Sequence, residues 1–209
     1  MAERQINPEV IFTSFDRYTR FVVNVNQEKL GQFLQQELGM SQEQLSKLNI
    51  RFYGVGTTQQ GTGYIRVGQF NPGGRTEKDS ALIYIGSLTG VAIEYESEII
   101  KTKSTERLWG WTREVGLELF SSRWPDYLNN VLQDRAQKLM RMILRRKIER
   151  AILKTIAHES AHALVIGKAK DMEEEEIIVR EIVEKINFPK WDGVIDFRFK
   201  TPEELRSSQ

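Results

Sequence analysis

The sequence predicts an α+β fold, with a mixed or antiparallel sheet in the N-terminal half and a helical C-terminal half. Three observations carry that expectation. From about Val10 to Ile100 the apolar residues come in short β-branched and aromatic runs separated by Gly, Asn, Gln and Ser, the pattern of strands. From Thr105 to Lys185 helix formers predominate, Gly becomes rare and apolar residues recur every three or four positions. The composition, 40% hydrophobic and 28% charged over 209 residues, is that of an ordinary globular chain long enough for one ample core.

In chain order, strands are expected at Phe21–Val25, Ile50–Val55, Gly63–Val67, Ala81–Ile85 and Val91–Glu96, with Gly86–Gly90 suited to a hairpin between the last two. Between the first two strands, Gln27–Leu38 has helical spacing that puts Leu30, Phe33, Leu34 and Leu38 on one face, and Ser41–Leu48 has similar spacing. A boundary near Lys101 to Ser104 divides an α+β region, 1–103, from a helical region, 104–209, the two forming one compact unit. Thr105–Leu119 is expected to be helical and carries Trp109 and Trp111 as core or interface anchors; Trp124 precedes Pro125, which starts the next helix. No Gly or Pro then occurs until Gly167, and an unbroken helix over Asp126–Ile166 would hold 41 residues. At about 60 Å it would outgrow a domain of this size, so a bend is expected near Arg145 to Glu149. Gly167 ends this helical stretch, Met172–Ile186 forms another helix closed by Pro189, and Val194–Phe199 alternates like a half-buried strand returning to the front sheet.

Composition excludes several chemistries. Thirty Lys plus Arg against 29 Asp plus Glu leave a formal charge of +1, too weak a field to recruit nucleic acid or anionic membrane by itself. The absence of cysteine removes disulfides, thiolate metal sites and cysteine nucleophiles. No apolar leader and no membrane-length apolar run is visible, so a cytoplasmic location is expected.

The chemistry-bearing residues are concentrated in one helix. His158 and His162 stand four positions apart, so their imidazoles project from the same face one turn apart and can converge on one ion. Glu159 lies beside His158, where its carboxylate can reach a metal-activated water without being a ligand, the position of a general base for amide hydrolysis. The flanking Ile156, Ala157, Ala161, Ala163, Leu164 and Val165 suit a buried helix with room for an ion.

His158-Glu159-Ser160-Ala161-His162 resembles the His-Glu-x-x-His motif of the zincin metallopeptidases, and both histidines of the chain fall within it. The resemblance covers this helix and extends to the next. It implies a zinc ion held by His158 and His162, a peptide or protein substrate, and Glu159 as base. Zincins use a third ligand. The metzincin pattern would require Gly at 165 and His at 168, where this chain has Val165 and Lys168. In the gluzincin group a Glu about eighteen or nineteen residues beyond the second His supplies the ligand. Glu181 follows His162 with eighteen residues between them, and it flanks the apolar arc of Ile177, Ile178, Ile182 and Ile186. Glu175 is the second candidate, and Glu184 lies further toward solvent. Two departures stand against the comparison: a long helical stretch separates the front strands from the motif, and no oxyanion-stabilising residue is evident beyond Tyr84, Tyr95 and Tyr127. Cytoplasmic peptidases commonly need restraint, so a latent, self-covered cleft is a further expectation.

The alternative is a non-catalytic interaction protein with a structural His pair. Its basic helix, 135–154, bears Arg135, Lys138, Arg141, Arg145, Arg146, Lys147, Arg150 and Lys154, which could meet nucleic-acid phosphates or solvate the outside of a helix whose buried stripe includes Leu139 and Ile143. In the second case the basic residues solvate the other faces or pair with Glu173 to Glu176 within the fold. The Gly-rich stretch Gly54–Gly63 lacks the Gly-Lys-Ser/Thr ending and following helix of a phosphate loop, and is expected to be a connection between strands.

Overall fold

A computed structural model describes residues 6–13, 21–53, 67–73, 77–85 and 135–206. The predicted strands Val91–Glu96 and, but for Val67, Gly63–Val67 lie outside these residues, as do the hairpin at 86–90, helix Thr105–Leu119, Trp109, Trp111, Trp124, Tyr95, Tyr127 and the boundary near 101–104.

The α+β architecture is present, and the sheet is mixed. Alternation in Leu48–Tyr53 (β3) buries Leu48, Ile50 and Phe52 on one face, and Asp79–Tyr84 (β5) with the adjoining Ile85 does the same with Ala81, Ile83 and Ile85. β3 pairs in parallel with both β5 and Glu9–Thr13 (β1), while Gly68–Asn71 (β4) runs antiparallel to β5, giving the order β1-β3-β5-β4. Neither β1 nor β4 was among the predicted strands. β3 begins two residues earlier than predicted because the preceding helix stops at Lys47 and leaves Leu48 extended.

Phe21–Val25 (β2) forms as predicted and pairs antiparallel with Ile195–Phe199 (β6) in a separate two-stranded sheet. The closing strand therefore returns to β2 rather than to the four-stranded sheet. Asn26 caps Gln27–Leu38 (α1) through the Lys29 N–H at 3.0 Å, and Gly39 ends it in the left-handed conformation with φ 68°. Leu30, Phe33, Leu34 and Leu38 are buried, the face predicted. Ser41 and Gln44 form a reciprocal capping box on the short helix Gln42–Lys47 (α2).

Arg135–Val165 (α3) is one helix of 31 residues. It runs without interruption through 145–149, where a bend was expected; residues 126–134 lie outside the description. From Leu144 onward the helix stays inside the fold because it is covered. Leu144, Ile148, Ile152, Leu153, Ile156 and Ala157 are all buried, in a core shared with both sheets, α1 and the following helix. Its polar residues are tied to the C-terminal segment. Glu149 accepts from the Phe197 N–H at 2.9 Å and from Arg145, Arg145 also pairs with Asp196, and Arg150 holds Asp192 through two bonds of 3.0 and 2.8 Å. Arg145 and Arg150 thus pair with Asp196 and Asp192, not with Glu173 to Glu176. Their charges are partly neutralised within the fold, which weakens the case for a phosphate-binding helix.

Gly167, at φ 76°, ends α3, and Asp171 caps Met172–Glu184 (α4) by accepting from the N–H groups of Glu173 and Glu174. The 3-10 turn Phe188–Trp191 follows, with Trp191 edge-on to Phe33 at 5.3 Å and donating to Glu37 at 2.8 Å, and Pro202–Arg206 (α5) closes the described chain. Among the described residues no helix is long and apolar enough to cross a membrane.

Replacing Ile152 by Ala, at a position with no solvent exposure in the middle of α3, removes methyl groups that both layers share. It is expected to cost about 2–5 kcal/mol, read as a lower midpoint at unchanged slope in urea unfolding.

Candidate metal centre

The short turn through Gly167 folds α4 back on α3, so the first turns of α4 face the last turns of α3. That geometry selects which acids meet the histidines. Counting 100° per residue, Glu175 falls in the same arc as the buried Val179 and Val183, with Glu176 at its edge beside Val183. Both carboxylates therefore look toward α3.

Glu176 faces the two imidazoles at once. Its Oε1 lies 3.4 Å from His158 Nε2 and its Oε2 lies 3.6 Å from His162 Nε2. The three side chains offer ligand atoms that all lie within 4.8 Å of one another, and together they can hold a metal ion. Glu175 takes a different role. Its Oε1 is 2.7 Å from His162 Nδ1, and since a carboxylate only accepts, Nδ1–H donates to it, while Nε2 faces Glu176. A carboxylate behind a ligating imidazole fixes ring orientation and tautomer in this way at many metal sites.

Glu181, the expected third ligand, is exposed, as is Glu184. Glu181 lies about 7 Å further along α4 than Glu176 and on the opposite side from Val179. The prediction placed the inward arc on Ile177, Ile178, Ile182 and Ile186; Ile186 is buried and Ile178 and Ile182 pack partly buried against the core, but Ile177 is 51% exposed and the centre of the arc is Val179 and Val183. Rotating the arc carries Glu181 outward and brings in Glu176. The run Glu173–Glu176, in which the sequence offered Glu175 as second ligand candidate, held the signal: Asp171 as cap puts it in the first turn, where acids are favoured by the helix dipole.

The third side of the site is β4. Gly68 and Phe70 face α3, and the Phe70 ring stacks on His162 at 5.9 Å with 14° between the planes. Gly68 lies directly against the motif helix: a Cβ there would come within 2.7 Å of Thr155 Cγ2 and 2.8 Å of Glu159 Cδ. Only a residue without a side chain lets the strand approach so closely. Glu159 is 7% exposed beneath it, and the intervening Ser160 and Ala161 are fully buried in the body of the fold. Tyr84 belongs to the other face of the sheet, where its ring meets Tyr53 and its hydroxyl donates to Gln69 Oε1 at 3.4 Å. It does not reach the histidines.

Burial holds the His158 imidazole below its ordinary pKa of 6.5; Glu176 opposes the shift, while His162 and Arg180 add to it. Folding thus favours neutral His158, the form that can ligate. No protein-family model, curated protein or solved structure matches the chain.

In metal-free protein, NMR titration of the His158 ring should give a midpoint below 6.5. Because the folded-state value is the lower one, its stabilising contribution is complete above pH 6.5 and is lost as pH falls toward the folded midpoint. A midpoint at or above 6.5 would contradict the packing described. Gly68→Ala should destabilise the protein by about 1–3 kcal/mol in chemical unfolding, since strand or helix must retreat; an unchanged midpoint would show that β4 does not press on Glu159.

Proposed function

We propose that this chain is a zinc-dependent hydrolase, a metallopeptidase of the zincin kind, in which His158, His162 and Glu176 hold the metal and Glu159 is the general base. The observation that carries the reading is the Glu176 carboxylate set across both Nε2 atoms, at 3.4 and 3.6 Å. Ligands about 2.0–2.1 Å from a tetrahedral zinc are about 3.3–3.4 Å apart; the three ligand atoms here lie within 4.8 Å of one another, so the side chains draw together to close on the ion. Two neutral imidazoles and one carboxylate, without thiolates, also match a site that leaves a fourth position open.

Zinc held there would supply Lewis acidity, lowering the pKa of a water and polarising a scissile carbonyl. The chain's own residues supply the rest. Glu159 follows His158 directly, so its carboxylate sits beside the ligand face without belonging to it, and it accepts the proton that the attacking water must lose. Its carboxylate is held against β4, with Glu159 7% exposed beneath Gly68. Glu175 keeps the proton on His162 Nδ1 and so keeps Nε2 available as a donor to metal. Phe70 fixes the plane of the same ring from the strand side. Peptides or proteins are the substrates this chemistry serves.

Elemental analysis of protein purified without chelator tests the assignment. About one zinc per chain is expected in wild type, in Glu159→Gln and in Glu181→Gln. His158→Ala and Glu176→Gln should lose it, and Glu175→Gln should bind it about 10–100-fold more weakly. With metal retained, Glu159→Gln should lower peptide hydrolysis about 10²–10⁴-fold. Absence of metal from wild type even after zinc is added would overturn the reading, and loss of metal in Glu181→Gln but not Glu176→Gln would overturn the choice of ligand.

A further inference from the structure

The face of the four-stranded sheet turned away from α3 carries a second polar site. Alternation along β3 sends Asn49, Arg51 and Tyr53 to this face, while Leu48, Ile50 and Phe52 enter the core. The residues on this face, with Ser80 of β5 and the segment after β4, enclose a cavity of about 460 Å³. At its floor Asn49 is 7% exposed, and its Oδ1 is buried without a hydrogen-bond partner. Arg51 Nε is likewise buried and unpartnered, and among the described residues no carboxylate pairs with the Arg51 guanidinium. Lys78 lines the cavity with its charge held by Glu9 at 3.0 Å, and among the described residues Glu77 is the one acid in the lining. At one end the Gly73 N–H donates to Asp79 at 2.9 Å, and a Cβ on Gly73 would run into the Glu77 carbonyl, so this wall is built tightly.

A buried donor and a buried acceptor side by side, both unsatisfied, are costly to maintain, and a buried cationic donor more so. A guanidinium and an ammonium in one lining repel a metal ion, so this is not a second metal centre. The volume falls in the range of small-molecule sites. We infer that this cavity binds a small oxyanion compound: its carboxylate or phosphate group pairs with Arg51, and a hydroxyl or amine of the same molecule donates to Asn49 Oδ1. Arg51 supplies a planar set of donors that matches either group through two parallel bonds. The site lies across the sheet from His158 and His162 and does not depend on their function.

The test is a binding titration of the full chain, followed by thermal unfolding and by amide NMR shifts, at matched ionic strength. Inorganic phosphate is the probe in one arm and glutamate in the other. Saturable binding in at least one arm, with shifts centred on residues 49–53 and 78–82, is expected, and the arm that responds distinguishes a phosphate from a carboxylate ligand. Arg51→Gln should weaken that binding at least tenfold. Asn49→Asp places a carboxylate two residues from Arg51 on the same face and should abolish binding by neutralising it; this variant decides the matter where Arg51→Gln fails to fold. No saturable binding by wild type in either arm, or binding that the folded variants leave unchanged, overturns the inference.

Discussion

The burial of α3 sets the terms for the rest of the molecule. Its middle is apolar on more than one side, with Ile148, Ile152, Ile156, Ala157 and Ala161 all withdrawn from water, and such a helix must be covered from several directions. The four-stranded sheet, the β2–β6 pair, α1 and α4 provide that cover. Because each packs on the same 31-residue rod, the rod fixes where their polar residues fall. The ion pairs from Arg145 and Arg150 to the C-terminal segment hold β6 in register along it, although pairs this exposed add little net energy.

The candidate metal centre follows from where α3 ends. A tight reversal at Gly167 and a cap at Asp171 leave few ways for α4 to lie, and its Val179 and Val183 must turn inward. Once they do, Glu175 and Glu176 are carried to the last turns of α3 by helix geometry alone. They are adjacent in sequence yet 100° apart around the axis, so one meets Nδ1 of His162 while the other spans the two Nε2 atoms. The separation of roles between two neighbouring carboxylates is thus a consequence of helical pitch. Four acids at the head of a helix repel one another, and the positive end of the helix dipole offsets part of that repulsion.

The sheet presents two different faces through its period of two. On the α3 side, Gly68 and Phe70 close over Glu159 and His162. On the other side, the residues between the buried ones are polar, and two of them keep buried atoms without partners. Unsatisfied polar atoms at the floor of a well-formed cavity are a liability for stability and a resource for binding, which is why Arg51 and Asn49 stand out from the ion pairs at the surface.

Much was legible in the sequence because local periodicity carries it. The α+β class, β2, α1, α4, β6 and the placement of His158, Glu159 and His162 on one helix all follow from spacing within a single element, which tertiary packing does not alter. β1 and β4 were not legible: Gly68–Asn71 is short and polar, and it is a strand because β5 pairs with it. A helix of 31 residues could not be placed from length alone, because what accommodates it is the cover the fold gives from Leu144 onward. The third carboxylate was beyond local reading for a related reason. In α4 the isoleucines outnumber the valines, and hydrophobicity alone pointed inward through Ile177; the reversal at Gly167 and the packing of Val179 and Val183 on α3 turned the helix so that Glu176, not Glu181, reached the histidines. Periodicity along one element was written in the residues, and the rotation of one element against another was decided only when both shared a core.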